Sequence, residues 1–167
     1  TINDLIARRF TKELENNPDK TVYDLFEWKT VDVIIKDYNK NKVVCDMRNL
    51  EFPVHYSQNA CDIIAAHYFR KAGVPNEVGY ERSMREVVHR MVAFWTEALK
   101  DEGLIDNDEQ KQILYDELAY LLLSQAWAPN SPQGDLTVCD DLQVDMFISL
   151  ERKHRSWRNC VDGDVRC

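Results

Sequence analysis

The patterning of this chain points to a mainly α domain: a small β-hairpin beside a layer of three to four helices. Three features carry that expectation. Apolar residues recur at helical spacing in three successive stretches between Ser57 and Trp127. Apolar runs on either side of Asn39-Lys40-Asn41-Lys42 have the form of two strands and a turn. The few breakers, five Gly and five Pro in 167 residues, fall largely between the periodic stretches.

Along the chain, Ile2, Leu5, Ile6, Phe10 and Leu14 are spaced as one face of a helix, and Asn16-Asn17-Pro18-Asp19 ends the pattern. A helix over residues 2–14 is therefore expected. Residues 31–35 and 43–45 are apolar runs, rich in Val and Ile, that predict a hairpin reaching to about Met47. Two strands alone are marginal in water, so this hairpin must pack on something. Ser57 can cap a helix over 57–72, which Gly73 and Pro75 stop. A second helix over 82–101 carries the stripe Met84, Val87, Val88, Met91, Val92, Trp95 and Leu99, and Gly103 closes it. A third begins at Asp106, spaced from Glu109 as a capping box, and runs through Ile113, Leu114, Leu118, Leu121 and Leu122 to about Trp127. Val88, Met91, Trp95, Leu118 and Leu122 are expected in one shared core. After Gln133 the pattern weakens. Leu136, Val138, Leu142 and Val144 only hint at a strand, and Arg152-Lys153-His154-Arg155 with Arg158 makes a basic cluster. The organisation read from this is an N-terminal helix or arm over 1–25, a helical domain over 26–133, and a divergent or truncated tail over 134–167 expected to pack poorly.

Charge bounds the partners. Lys and Arg number 21 against 29 Asp and Glu, a net charge of −8. Such a chain repels a phosphate backbone on average, which disfavours general nucleic-acid binding. No run approaches the roughly 18 apolar residues of a membrane-spanning helix. The five cysteines, Cys45, Cys61, Cys139, Cys160 and Cys167, are odd in number and lack C-x-x-C spacing, so a structural zinc site has no support. With no signal peptide at the start, they read as reduced thiols in a cytoplasmic chain. A first residue of Thr rather than Met suggests a processed or partial product.

Taken singly, the residues carry little chemistry. His55, His67 and His89 have no partner at metal-ligand spacing and read as structural. Cys61 has no identifiable base beside it and reads as a small buried hydrophobe. Asp106-Asn107-Asp108-Glu109 lacks the ladder and glycine of a calcium loop and reads as a solvated helix start. In Pro129-Asn130-Ser131-Pro132-Gln133 two prolines stiffen a loop with two short polar side chains. Its ordinary reading is a helix stop with a local turn.

The order of these pieces says more than any one of them. Phe26-Glu27-Trp28-Lys29 opens the hairpin. Phe52-Pro53-Val54-His55-Tyr56-Ser57-Gln58-Asn59-Ala60 leads into Asp62-Ile63-Ile64-Ala65-Ala66-His67-Tyr68-Phe69-Arg70. Glu81-Arg82-Ser83 starts the second helix, and Tyr115-Asp116-Glu117-Leu118-Ala119-Tyr120 precedes Gln125-Ala126-Trp127-Ala128-Pro129-Asn130-Ser131-Pro132-Gln133. This succession resembles the N-terminal region of class II ribonucleotide reductases, the adenosylcobalamin (vitamin B12)-dependent type, over residues 26–133. Two departures stand out. Tyr56 occupies a position where the family usually has Trp, and Gly134-Asp135-Leu136 replaces the usual Trp-Phe-Asn.

The resemblance implies a helical region that precedes the reductase α/β barrel. It implies reduction of ribonucleotides to deoxyribonucleotides for DNA synthesis, with adenosylcobalamin as cofactor, a cysteine radical that abstracts a ribose hydrogen and a cysteine pair that supplies the reducing electrons. The radical cysteine and the redox pair belong to later parts of the family's chain, so no catalytic or metal-binding residue is assigned here, and Cys139, Cys160 and Cys167 are not promoted to those roles. Ser131 is the one residue carried over, as a substrate contact. The implied partners are a ribonucleotide, through the barrel, and a reductase catalytic domain on which this segment packs, with no nucleic acid and no membrane. As an isolated fragment the chain is expected to be inactive. The alternative is a stand-alone helical protein-interaction module.

Overall fold

The computed structural model describes residues 6–37 and 42–129. Two strands, β1 (Trp28–Asp37) and β2 (Lys42–Pro53), form an antiparallel hairpin. Three helices follow: α1 (Gln58–His67), α2 (Met84–Asp101) and α3 (Asp108–Leu123). Two short 3-10 turns, Lys12–Asn16 and Val22–Leu25, precede the hairpin. The described part up to Ala128 is one compact unit. The expectations for residues 134–167, including the hinted strand and the basic cluster, fall outside the described residues.

The hairpin is much longer than its β-branched runs. Its strands have 10 and 12 residues, so the domain is a small mixed fold rather than a mainly helical one. The sequence hides the second half of β2 because Asn49, Glu51 and Pro53 look like loop residues. The register explains their place. Val31 pairs with Leu50 and Val33 with Met47, so one extra residue of β2 bulges between them. Asn49 takes the left-handed conformation there (φ 55°), which Asn tolerates better than most residues. Asp32 fixes the bulge by accepting the Asn49 amide at 2.9 Å. Beyond the bulge, Leu50 and Phe52 turn inward and are fully buried.

The helix over residues 2–14 is not what forms. The described residues 6–11 carry no helix, and only a 3-10 turn follows at Lys12–Asn16. The cause is tertiary. Glu117 of α3 accepts the amides of Phe10 (3.1 Å) and Thr11 (2.9 Å) and the Thr11 hydroxyl (2.7 Å), groups a helix would turn to other uses. α1 also stops earlier than expected, at His67 rather than near 72. Glu81 accepts the Arg70 amide at 2.8 Å while its own amide bonds the Arg70 carbonyl at 2.9 Å, which draws the chain out of the helix. α3 starts at Asp108, and its cap is Asn107, which accepts the Gln110 amide at 2.9 Å, in place of the expected Asp106. Ser57 caps α1 as read from the sequence; α2 is capped by Ser83, which forms a reciprocal capping box with Glu86 and sets the start at Met84 rather than 82.

One core joins these elements. α2 packs on α3, while α1 lies mainly against the hairpin. Phe52 of β2 is the link. Its ring stacks on Phe69 at 5.3 Å and lies 6.0 Å from Tyr56. Val88, Met91 and Leu122 are buried as expected. Trp95 and Leu118 are only half-buried, against the expectation of full burial; Trp95 meets the edge of the partly exposed Trp127 ring at 5.7 Å.

A buried ion pair locks the 68–82 segment onto α2. Arg90 donates to Glu81 at 2.8 Å and to the Tyr68 carbonyl at 3.0 Å, and the side chains of Arg90 and Glu81 are 10% and 3% exposed. Breaking such a pair strands a charge in a poorly solvated place. Glu81→Ala is expected to cost about 3–5 kcal/mol in urea denaturation. The double change Glu81→Leu with Arg90→Met, which removes both charges, is expected to cost less than the single one. A single-variant loss under about 1 kcal/mol would contradict this reading of the pair.

Candidate functional site

Two polar constructions lie where the N-terminal arm meets α2 and α3, and a third lies at the far end of α3. The first is the arm clamp. Besides the Glu117 bonds, Arg8 pairs with the buried Asp116 at 2.7 Å and donates to the Thr11 hydroxyl at 2.9 Å. Gln112 steadies the other Asp116 oxygen at 2.9 Å. Burial alone would push the Glu117 carboxyl up, but the bonds from Thr11 and Phe10 outweigh it and hold the carboxyl below its ordinary value.

The second is a tyrosine pair. The hydroxyls of Tyr23 and Tyr115 lie 2.6 Å apart, and Tyr115 also bonds His89 Nδ1 at 2.7 Å. Burial, then the bond to Tyr115, lifts the Tyr23 phenol far above its ordinary value. Burial likewise raises Tyr115, partly offset by its bond to Tyr23. Both phenols therefore stay protonated at neutral pH, and the cluster is a tie between the arm and the two helices, not a base. Beside it, Arg85 lies over the Trp28 ring at 4.0 Å and bonds Glu51 at 2.6 Å, joining α2 to both strands.

The third construction is at the far end of α3. The last carbonyls of a helix lack partners within it. Here the Tyr56 hydroxyl donates to the Leu122 carbonyl at 3.2 Å, and His55 Nε2 lies 3.0 Å from that of Leu123. Gln125 adopts φ 59°, and the amides of Gln125 and Ala126 return to the carbonyls of Leu122 and Leu121, both at 3.1 Å. The path of the chain as it leaves α3 is thus set by residues nearly 70 positions earlier.

A groove of about 1110 Å³ runs between the arm and the α2–α3 pair. Its charged lining is largely consumed internally, with Arg8 on Asp116 and Lys111 on Glu97. A corrin ring has an amide-rich rim that needs unengaged polar partners. No described residue is assigned to the cofactor.

The residues singled out from sequence do not converge. His67 is exposed on the last turn of α1, His55 sits at the end of α3, and His89 is bound to Tyr115. Among the described residues no three His, Cys, Asp or Glu side chains are grouped to hold a metal ion. Cys45 and Cys61 are free and buried, and burial pushes the Cys61 thiol up against the pull of Lys29. Ser131 lies outside the described residues. The roles of Glu117, Tyr56 and Glu81 were not read from sequence, because each acts on a partner distant in the chain and no local spacing announces it.

Residues 30–125 match the family model described as class II vitamin B12-dependent ribonucleotide reductase. This chain belongs to that family. The reductase match begins inside β1 and ends just after α3, so it takes in nearly all of the hairpin and all three helices. Similar proteins include the vitamin B12-dependent ribonucleotide reductase of Streptomyces avermitilis, 33% identical over 122 residues, which covers 72% of this chain. That of Agrobacterium fabrum is 31% identical over 159 residues, covering 77% of this chain. The chain spans only 12% of the length of either reductase.

Two measurements check the constructions. Glu117 has a lowered folded-state value, so its stabilisation is present above the unfolded carboxyl value and lost as pH falls through the folded one. Below roughly pH 4.5 the arm is expected to loosen, and Glu117→Gln is expected to abolish that step. Proteolysis of the 6–11 segment against pH reads this; an unchanged acid step in Glu117→Gln contradicts it. Separately, Tyr56→Phe removes the hydroxyl's bond and leaves the Leu122 carbonyl to the backbone amides that close α3, and it is expected to cost about 0.5–1.5 kcal/mol in chemical denaturation.

Proposed function

We propose that this chain is the N-terminal segment of an adenosylcobalamin-dependent ribonucleotide reductase, a packing domain that precedes the reductase barrel and does no chemistry alone. The observation that carries the reading is the match over residues 30–125, which coincides with the hairpin and the three helices. In this reading the domain is 26–133, preceded by an arm, and it packs on the reductase catalytic domain. The end of α3 is fixed by Tyr56 and His55 because the chain must enter the barrel in one direction. Ser131 then stands at the barrel entrance as a substrate contact, where a hydroxyl can hydrogen-bond ribose or phosphate. The whole enzyme would reduce ribonucleotides in the cytoplasm. Among the described residues no helix is long and apolar enough to cross a membrane.

Two experiments test this. The purified chain with adenosylcobalamin, a dithiol and each ribonucleotide is expected to form no deoxyribonucleotide. Turnover lost on Cys139→Ser or Cys160→Ser would overturn the assignment. Conversely, grafting residues 30–125 in place of the matching stretch of the Streptomyces avermitilis reductase is expected to keep turnover within about tenfold of the parent, an activation difference near 1.4 kcal/mol. A folded chimera with no turnover would contradict the domain reading.

A further inference from the structure

Four rings form one row across the arm, α3 and the two ends of the hairpin. Phe10 of the arm lies flat on Tyr120 of α3, with centroids 5.7 Å apart and planes within 9°. Tyr120 lies 5.2 Å from Phe26, and Phe26 lies 6.1 Å from His55. Tyr120 and Phe26 are half-buried and packed against the core. The two ends of the row are open: Phe10 is 52% exposed, and His55 is exposed as well. Val54, 45% exposed, continues the row past His55, and its amide donates to the Glu27 carbonyl at 2.9 Å.

The outward ring of Phe10 is held in place. Glu117 accepts the Phe10 amide with both carboxylate oxygens, each at 3.1 Å, which fixes the ring over Tyr120. Four residues on, the same arm buries Leu14 in the core. The arm therefore reaches the core and still turns Phe10 out. The other end of the row is tied to the exit from α3. His55 Nε2 lies 3.0 Å from the carbonyl of Leu123, the last residue of that helix, and Trp127 within the exit is also exposed. A contiguous apolar patch marks a contact surface, and aromatic rings carry much of the energy of such surfaces. Its position says what covers it. The chain spans only 12% of the length of the Streptomyces avermitilis reductase. In such an enzyme, whatever follows α3 starts beside His55 and meets this row at a high effective concentration. A second copy is a poorer occupant, since two chains of net charge −8 repel each other.

We propose that the row of Phe10, Tyr120, Phe26 and His55, extended by Val54, is the surface on which the remainder of the reductase chain docks, the part that follows the matched region. This surface rests on the reductase reading and adds to it which face of the domain is covered. Tyr120 and Phe26 supply the floor, and Phe10 and Val54 are the exposed anchors that the docked part buries. The Glu117 clamp then serves to present Phe10.

The test places single thiols in a chimera in which residues 1–129 replace the corresponding N-terminal stretch of the Streptomyces avermitilis reductase. Phe10→Cys and Val54→Cys report on the row. Leu104→Cys is the control: Leu104 is 45% exposed and precedes α3, whose 16 residues put about 24 Å between its ends. Alkylation of each thiol is followed by mass spectrometry of its own peptide, in the chimera and in the full chain alone. Both row thiols are expected to react at least about tenfold more slowly in the chimera, with Leu104→Cys equally reactive in both. Unchanged reactivity at Phe10→Cys or Val54→Cys in a chimera that turns over overturns the docking surface and leaves the reductase reading standing. In a folded chimera without turnover the reductase reading fails; protected row thiols still support the surface, and reactive ones overturn it too. If the chimera does not fold, a thiol at the position aligned with Val54 in the parent reductase reads the same contact: protection supports the surface and free reaction overturns it. Protection of the row in the full chain alone that grows with its concentration would show the occupant to be a second copy and also overturn the proposal.

Discussion

A hairpin of two strands has an inner face but no second sheet to cover it, and the rest of the domain answers that constraint. Val33, Leu50 and Phe52 are fully buried on that face, each worth about 1.5–3 kcal/mol when removed from water. α1 covers part of the hairpin and α2 reaches β2, while Phe69, beyond the end of α1, stacks on Phe52. Without these covers the strands would be marginal. Without the strands, α1 would lose its main packing partner, because its larger contacts are with the hairpin.

The polar interactions do a different job. They connect parts of the chain that hydrophobic patterning leaves free to drift. Glu81 with Arg90 ties the loop after α1 to α2, Arg85 with Glu51 ties α2 to β2, and Glu117 and Asp116 tie the arm to α3. Each joins elements separated in sequence, and the Glu81–Arg90 and Arg8–Asp116 pairs are well shielded from water. Together they hold an arrangement that exists only in the folded chain. Tyr56 and His55 extend the same logic to the end of α3. In the reductase reading, that end is where orientation matters most.

Local rules were legible in the sequence and long-range ones were not. The stripe from Met84 to Met91 and the cap at Ser57 show plainly because a helix repeats every 3.6 residues and its cap is a neighbour. The arm misleads because Ile6, Phe10 and Leu14 have helical spacing, yet a carboxylate more than 100 residues away claims the amides of Phe10 and Thr11. β2 is underread because its bulge turns Asn49 and Glu51 from loop residues into strand residues, and only the pairing with β1 reveals the register. Of the candidate site, the family could be read from the order of motifs, since that order survives where single residues do not. Nothing local marked Tyr56 as the group that caps α3, and Ser131 falls outside the described residues.

If the hairpin and the helices depend on one another as argued, they must open together. Native-state hydrogen exchange at several urea concentrations measures this directly. The slowest amides of β1 and β2 are expected to exchange with the same opening free energy as those around Val88 and Val92, within about 1 kcal/mol, and with the same urea dependence. Hairpin amides that exchange through a smaller opening, several kcal/mol below that of α2, would show that the strands are an appendage and that the helices hold themselves.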